Sequence, residues 1–426
     1  MPLRFVIILL LIAIAEYYSF IVVRSAVRTF PPGWRIGLLS VYFFFTAISW
    51  LGLIFGRSIN WAELPHFIRN LYIAFAIGLA VGKLLILAVM LVDDLRRLVL
   101  WIINLFYTSG TKAPEITEDV APITTRGGIT RSVFLARLAL IIGGTALGGF
   151  LFGITNRYSY RIRRVKLPFA SLPEAFKGLK IVQISDIHTG SFDNHAAVAK
   201  GIQHVLDEKP DLILFTGDLV NNKADELEGY KDLYSSLRAP MGVYSTLGNH
   251  DYGDYVHWPS AEAKHANLET LKKAHAEFGW RLLMNEHVVL NRGEEKIALV
   301  GIENWGAKAN FPKYGDMKAA YSGLPEKNIP FKILLSHDPS HWDAQVTPEY
   351  KDIQLTLSGH THGMQFGIEI PGIKWSPVQY VYKKWAGLYQ EGEQFLYVNR
   401  GFGFLGYPGR LGIMPEITVI ELDTMA

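Results

Sequence analysis

Four apolar runs, each about long enough to cross a bilayer, constrain this chain more than any other feature. They cover residues 3–23, 36–55, 71–92 and 132–154. A helix needs about 20 apolar residues to span the hydrocarbon core, where no water satisfies exposed backbone groups. Residues 1–156 are therefore expected to form an all-α transmembrane region of four helices. Glu16, Lys83 and Arg137 fall inside these runs. A charge in hydrocarbon is costly, so each should face the bundle or snorkel. A proton or ion path is the alternative reading, but three separated charges without a repeat do not look like a relay. Trp34, Trp50, Trp61 and Trp101 stand near the run ends, where interfacial tryptophans collect. Residues 93–107 read as an extension of the third helix or as an interfacial helix. Residues 109–130, rich in Gly, Pro, Thr and charge, read as a loop or linker.

Charge divides the chain into two physical objects. Residues 1–166 carry a net charge of +11 and residues 167–426 a net charge of −8. Twelve of the 13 histidines lie in the second part. A basic stretch, 157–177, is expected to link the two. No cysteine is present, which excludes disulfides, zinc–thiolate sites and cysteine nucleophiles. The acidic second part argues against a nucleic-acid partner. No phosphate-binding loop, dinucleotide fingerprint or Ser-His-Asp signature is found.

Orientation signals conflict. Arg24, Arg28 and Arg35 in the first connection, with Arg96, Arg97, Arg126 and Arg131 in the third, place both termini outside. The cluster Arg157, Arg161, Arg163, Arg164 and Lys166 favours the cytoplasm. Residues 129–149 look like a degenerate twin-arginine export signal that keeps one arginine, Arg131. The balance gives a multi-pass cell-membrane protein whose second part lies outside the cytoplasm, with a cytoplasmic placement as the alternative.

The second part, 178–426, reads as strands alternating with helices. Apolar runs of strand length occupy 179–188, 211–220, 242–253, 296–304, 331–339, 353–363, 394–401 and 416–422. Helix-length patterns at 194–208 and 260–278 begin at Asn194 and Ser260, both good N-caps. Near-continuous apolar strands alternating with helices indicate an α/β sheet covered on both faces, with ligands beyond the strand ends.

The strand ends carry the chemistry. In order they present Asp186 and His188, Asp218, Asn249 and His250, His337, then His360 and His362. Carboxylate, amide and imidazole groups converging from five strand ends suit two divalent cations. A shared aspartate can bridge ions about 3.5–4 Å apart. Gly217, Gly248 and Gly359 each precede a candidate ligand, where glycine permits a tight turn and close backbone approach.

The motifs D-x-H at 186–188, G-D at 217–218, G-N-H-D at 248–251, the single His337 and G-H-x-H at 359–362 resemble, in order, those of the calcineurin-like metallophosphoesterases. The resemblance covers about 178–422 and extends to that family's membrane-associated bacterial branch. That branch includes wall-associated and lipid A pathway hydrolases. The four-span region is expected to lie outside the family pattern. The resemblance implies two mixed sheets packed face to face with helices outside. It implies one ion on Asp186, His188 and His362, a second on Asn249, His337 and His360, and Asp218 as the bridge. His250 would sit beside the phosphate as the catalytic group, with Asp251 next to it orienting its ring. Two cations would lower the pKa of a shared water for in-line attack on phosphorus and offset charge on the phosphoryl oxygens. Manganese comes first as the metal, with iron, zinc or magnesium as alternatives. The implied substrates are phosphate mono- or diesters or pyrophosphates, including lipid-linked ones. The alternative is a membrane sensor, scaffold or transporter carrying an accessory hydrolase domain. A degenerate hydrolase should lack a ligand, and none is missing.

Other residues are read more plainly. His195, His204, His265, His275 and His287 are expected at the surface. His341 competes with His337, which directly ends a strand. His257 and Trp258 are candidate cleft residues. Arg400 and Arg410 read equally as phosphate binders or structural ion pairs. Residues 373–389 interleave aromatic residues with Lys374, Lys383 and Lys384, and read either as a covered loop or as an interfacial surface built on Trp375 and Trp385.

Overall fold

A computed structural model describes residues 3–55, 64–107, 131–308 and 311–425. Trp61, Arg126 and the expected loop at 109–130 lie outside the described residues. The chain divides into two units, Met1–Phe152 and Gly153–Ala426.

Among the described residues of the first unit, four helices are long and apolar enough to cross a membrane: α1 (Leu3–Val27), α2 (Pro32–Phe55), α3 (His66–Tyr107) and α4 (Arg131–Gly153). Residues 93–107 continue α3 without a break. Its 42 residues rise about 63 Å at 1.5 Å each, roughly twice the hydrocarbon thickness. The charges behave as hydrocarbon demands. Lys83 lies 2.5 Å from Glu16 and 3.0 Å from the Thr46 hydroxyl. Tyr42 and Trp50 each donate to the Glu16 carboxylate at 3.3 Å. Arg137, near the start of α4, is exposed. Small residues let α3 and α4 touch. A Cβ on Gly82 would stand 2.7 Å from the Gly143 carbonyl oxygen.

The second unit holds two six-stranded mixed sheets. One has the order β1 (Arg161–Phe169), β14 (Glu416–Thr424), β2 (Lys180–Ile184), β3 (Leu212–Thr216), β4 (Val243–Thr246), β5 (Arg281–Leu282). The other runs β12 (Gly387–Glu391), β13 (Gln394–Val398), β9 (Leu355–Ser358), β8 (Lys332–Leu335), β7 (Glu295–Gly301), β6 (Glu286–Arg292). Strands β2 to β5 are parallel, as are β13, β9, β8 and β7. A short antiparallel hairpin, β10 (Ile368–Ile370) and β11 (Ile373–Trp375), stands apart.

The period-two geometry of a strand sends alternate side chains to two cores. Ile181, Leu212 and Leu214 point between the sheets and meet Leu299, Ile333 and Leu355. Val182, Ile213 and Phe215 point outward, beneath α5 (His195–Asp207) and α7 (Ala261–Glu277). Asn194 and Ser260 cap these helices, accepting from the N–H of Ala197 at 3.0 Å and of Ala263 at 3.2 Å. The expected architecture, two facing sheets flanked by helices and preceded by an all-α region, is the one observed.

The basic linker at 157–177 is not a linker. Residues 161–169 form β1, which pairs in parallel with β14 over nine residues. Leu167 and Phe169 are buried while Arg161, Arg164 and Lys166 interleave along the edge. An edge strand studded with cations looks like a tether until its apolar partners are known.

Candidate metal centre

All the candidate ligands gather past the C-terminal ends of β2, β3, β4, β8 and β9. Five of them, Asp186, His188, Asp218, His360 and His362, adopt positive φ, between 50° and 72°. A non-glycine residue there costs on the order of 1 kcal/mol or more, and such strain collects at functional sites. The turns make the side chains converge. A Cβ at Gly359 would overlap the Asp186 carboxylate and the Ser185 hydroxyl.

Two clusters form, Asp186–His188–His362 and Asp218–His337–His360, and within each the donor atoms lie within 4.8 Å of one another. Asp218 stands between them. Its Oδ2 is 3.1 Å from His337 Nε2 and 3.5 Å from His188 Nε2. His362 Nε2 is 3.4 Å from Asp186 Oδ1. Asn249 Oδ1 lies 2.8 Å from His360 Nδ1.

The residues fit a metal by an unusual deficit. Nε2 of His188, His337 and His362 is buried in each case and makes no hydrogen bond. Buried polar atoms are rarely left so. His337 Nε2 stands 3.1 Å from the Asp218 carboxylate, close enough for one cation to take both as ligands. The Thr216 carbonyl takes His337 Nδ1–H at 2.7 Å, which leaves Nε2 as the ligand atom.

Charge follows the same logic. Burial lowers His188 to about 3 and takes His362 well below its ordinary value. Both are neutral imidazoles with a lone pair to give. Burial opposes a proton on His337, but the Asp218 charge raises it to about 10; a cation at this point would take the place of that proton and free the Nε2 lone pair. Burial also works against charge on Asp218, and the surrounding histidines, His337 first, hold it well below the usual carboxylate range.

His250 is half-buried. Its Nδ1 lies 2.8 Å from the Asn221 carbonyl, and its ring centre is 5.0 Å from that of His188. Asp251 does not touch this ring, contrary to expectation. Its carboxylate accepts from the backbone N–H of Gly248 and Leu219 at 2.8 Å, Asp218 at 2.9 Å and Val220 at 3.2 Å. Four converging amides outcompete one neighbouring imidazole.

The competing readings separate cleanly. His341 is engaged elsewhere, by Ser336 at 2.9 Å and Gln345 at 3.0 Å. Arg400 is buried between Glu416 at 2.5 Å and Glu369 at 2.6 Å, a structural ion pair. Arg410 is fully buried and donates to the carbonyls of His362, Arg400, Gly401 and Gly403, so it braces the site. His275 is not at the surface; it is buried against Trp280 and bonded to Ser245 at 3.0 Å. His257 is exposed, and Trp258 is tied to the Gly253 carbonyl at 2.7 Å. Trp385 is core, not surface.

Four residues went unnoticed in the sequence. Asn221 holds His250, Tyr255 accepts from Asn249 at 2.8 Å, and Tyr382 reaches His360 Nε2 at 2.9 Å and Asp338 at 3.2 Å. Asp338 directly follows His337, and that adjacency was the one available signal.

A sandwich of two mixed sheets with these carboxylates, amide and imidazoles at its strand ends defines a metallohydrolase of the phosphoesterase class. The model for calcineurin-like phosphoesterases matches residues 179–364, and one described as a probable calcineurin-like phosphoesterase transmembrane domain matches 3–157. The second match corrects the expectation that the four-span region stands outside the family pattern. Phosphodiesterase YaeI of Escherichia coli is 31% identical over 69% of this chain and 99% of its own length. Uncharacterized metallophosphoesterase YkuE of Bacillus subtilis is 33% identical over 59% and 82%. A Danio rerio transmembrane protein with metallophosphoesterase domain is 31% identical over 67% of this chain, and the match spans only 62% of that protein. The chain belongs to the calcineurin-like metallophosphoesterase family.

Proposed function

We propose that this membrane protein hydrolyses phosphoric esters, as mono- or diesters or pyrophosphates, at a two-cation centre. Asp186, His188 and His362 would hold one cation, Asn249, His337 and His360 the other, and Asp218 both. The observation that carries this reading is the set of buried, unpartnered Nε2 atoms aimed at shared carboxylates. Two bound cations supply Lewis acidity, activating water and offsetting charge on the phosphoryl oxygens. The donors are N and O without sulfur, which fits manganese first, then iron, zinc or magnesium.

The chain's own groups do the rest. The Asn221 carbonyl fixes the His250 ring through Nδ1 and leaves Nε2 to meet a phosphoryl or leaving-group oxygen. Asp251 ties the loop after β3, which carries Asp218, to the loop after β4, which carries Asn249 and His250. Substrates held in the bilayer are part of this reading, supported by the four spans. The reading puts the catalytic unit outside the cytoplasm, with a cytoplasmic placement as the alternative, and a topology reporter fused after Ala426 separates the two.

The decisive measurement pairs metal content with turnover of a chromogenic phosphodiester. Protein purified in detergent should retain transition metal and lose activity when chelated, then regain it with manganese. His250→Ala should keep its metal and lose about 100-fold or more in kcat. If the metal leaves with His250, that residue is a ligand instead. If no transition metal is retained and no phosphoric ester is cleaved with manganese supplied, the proposal fails.

A further inference from the structure

Exposed apolar side chains are concentrated in one place on the second unit. Among the described residues of Gly153–Ala426, ten large apolar side chains are exposed, and seven of them lie between residues 364 and 388. Contiguous apolar surface of this kind marks an interaction site.

The β10–β11 hairpin explains why. Its register pairs Ile368 with Trp375, Glu369 with Lys374 and Ile370 with Ile373. Directly opposed residues share a face, so one face carries Ile368, Ile370, Ile373 and Trp375, and the other Glu369 and Lys374. A hairpin in water buries its apolar face. This one turns its polar face inward. Glu369 takes Arg163 and Arg400, each at 2.6 Å. The Lys374 stem lies open, but its ammonium reaches the Ala386 carbonyl and lies over the Trp385 ring at 4.8 Å. The three isoleucines, 49% to 56% exposed, look outward. Tyr380, 77% exposed, accepts from the Trp375 indole at 3.4 Å and extends this face to Val381.

We propose that the outward face of this hairpin, with Tyr380 and Val381, docks into a lipid bilayer at its polar–apolar boundary. The chain itself argues for that occupant. Arg163, which holds the hairpin, follows Gly153, the end of a membrane-length helix, by ten residues. Isoleucine is the residue for the acyl boundary, and Trp and Tyr for the head-group layer. Exposed Lys383 adds a cation at the rim for anionic lipid. The surface also lies one side chain away from a candidate ligand. Tyr380 and Val381 line a cavity of about 380 Å³, together with Tyr382, whose hydroxyl is 2.9 Å from His360 Nε2. If the phosphoesterase reading holds, docking on this face would bring membrane-resident esters near the site.

Because the chain lacks cysteine, single labels are clean. Ile370→Cys and Ile373→Cys, each carrying a nitrobenzoxadiazole, are placed in full-length protein reconstituted into phosphatidylcholine–phosphatidylglycerol vesicles. Glu294→Cys, in the exposed β6–β7 turn, is the control. Spin-labelled lipid should quench positions 370 and 373 about threefold more than 294. Equal quenching at all three overturns the proposal. So does a blue-shifted emission at 370 that ignores spin-labelled lipid and fades on dilution into excess lipid, which would mean that a second copy covers the face. Ile370→Ser combined with Ile373→Ser should lower turnover of a vesicle-embedded phosphoester while sparing a soluble one, and equal loss on both counts against docking. The quenching result needs no activity, so an inactive protein would sink the phosphoesterase reading and leave this one standing.

Discussion

A carboxylate can organise a site without touching what the site binds, and Asp251 does so. Burial raises it to about 7, with the nearby Asp218 charge adding to the rise, while four backbone N–H groups hold it in place. An asparagine there keeps one acceptor oxygen and turns a donor towards two of those amides. Asp251→Asn should therefore cost about 2–4 kcal/mol and lower metal retention along with the unfolding temperature. If the variant keeps metal and stability and loses only kcat, Asp251 belongs to the chemistry. The sequence pointed to the ligands because strand ends followed by Asp, Asn and His are rare outside metal sites. It did not show where Asp251 aims, since adjacency to His250 says nothing about which side of the loop a side chain takes. Asn221 and Tyr382 escaped for a related reason. Each acts through a contact spanning more than 20 positions, which no local pattern encodes.

At the scale of elements, periodicity served well where one face was apolar and failed where it was mixed. The parallel strands and the caps at Asn194 and Ser260 were legible because each carried a one-dimensional signal. Strand β1 was not, because its edge cations hide a buried Leu167 and Phe169. Helix α7 presented the same difficulty. His275 looked like one more charge-bearing position on a polar helix, yet it closes the core beneath Phe215 and Trp280. Burial lowers it to about 3 from an ordinary 6.5. Between those values the unfolded chain binds a proton that the folded one refuses. The stability contribution is whole above pH 6.5 and is lost as pH falls, by about 1.4 kcal/mol per pH unit. His275→Gln keeps a partner for Ser245 and removes the titration. Its loss of stability from pH 7 to pH 5 should be about 2 kcal/mol smaller than that of the parent protein, measured by urea unfolding and tryptophan fluorescence. Identical pH slopes would mean that the His275 site opens to water before the fold does.

At the scale of the whole molecule, the chain contains two stabilising devices of different kinds. In the second unit the candidate ligands come from both sheets: Asp186, Asp218 and Asn249 from one, His337, His360 and His362 from the other. Cations held there would clamp sheet to sheet and stabilise the fold by mass action. In the first unit the clamp is internal. Lys83 on α3 meets Glu16 on α1 and Thr46 on α2, and Tyr42 and Trp50 complete the carboxylate's hydrogen bonds. The charge split between residues 1–166 and 167–426 announced two objects, and the apolar runs announced the spans. Which charges would pair was not legible, because Glu16 and Lys83 are 67 positions apart. Removing one partner leaves the other charge stranded in apolar surroundings, at a cost of about 3 kcal/mol or more. Glu16→Gln alone should therefore lower the detergent-resistant unfolding temperature, and adding Lys83→Met should restore most of it. Neither variant should change bound transition metal, since every group in this network belongs to α1, α2 or α3. Chelation should do the reverse, lowering only the transition reported by the second unit. A double variant as unstable as Glu16→Gln would show that Lys83 serves a role other than pairing, and would revive an ion path through the bundle.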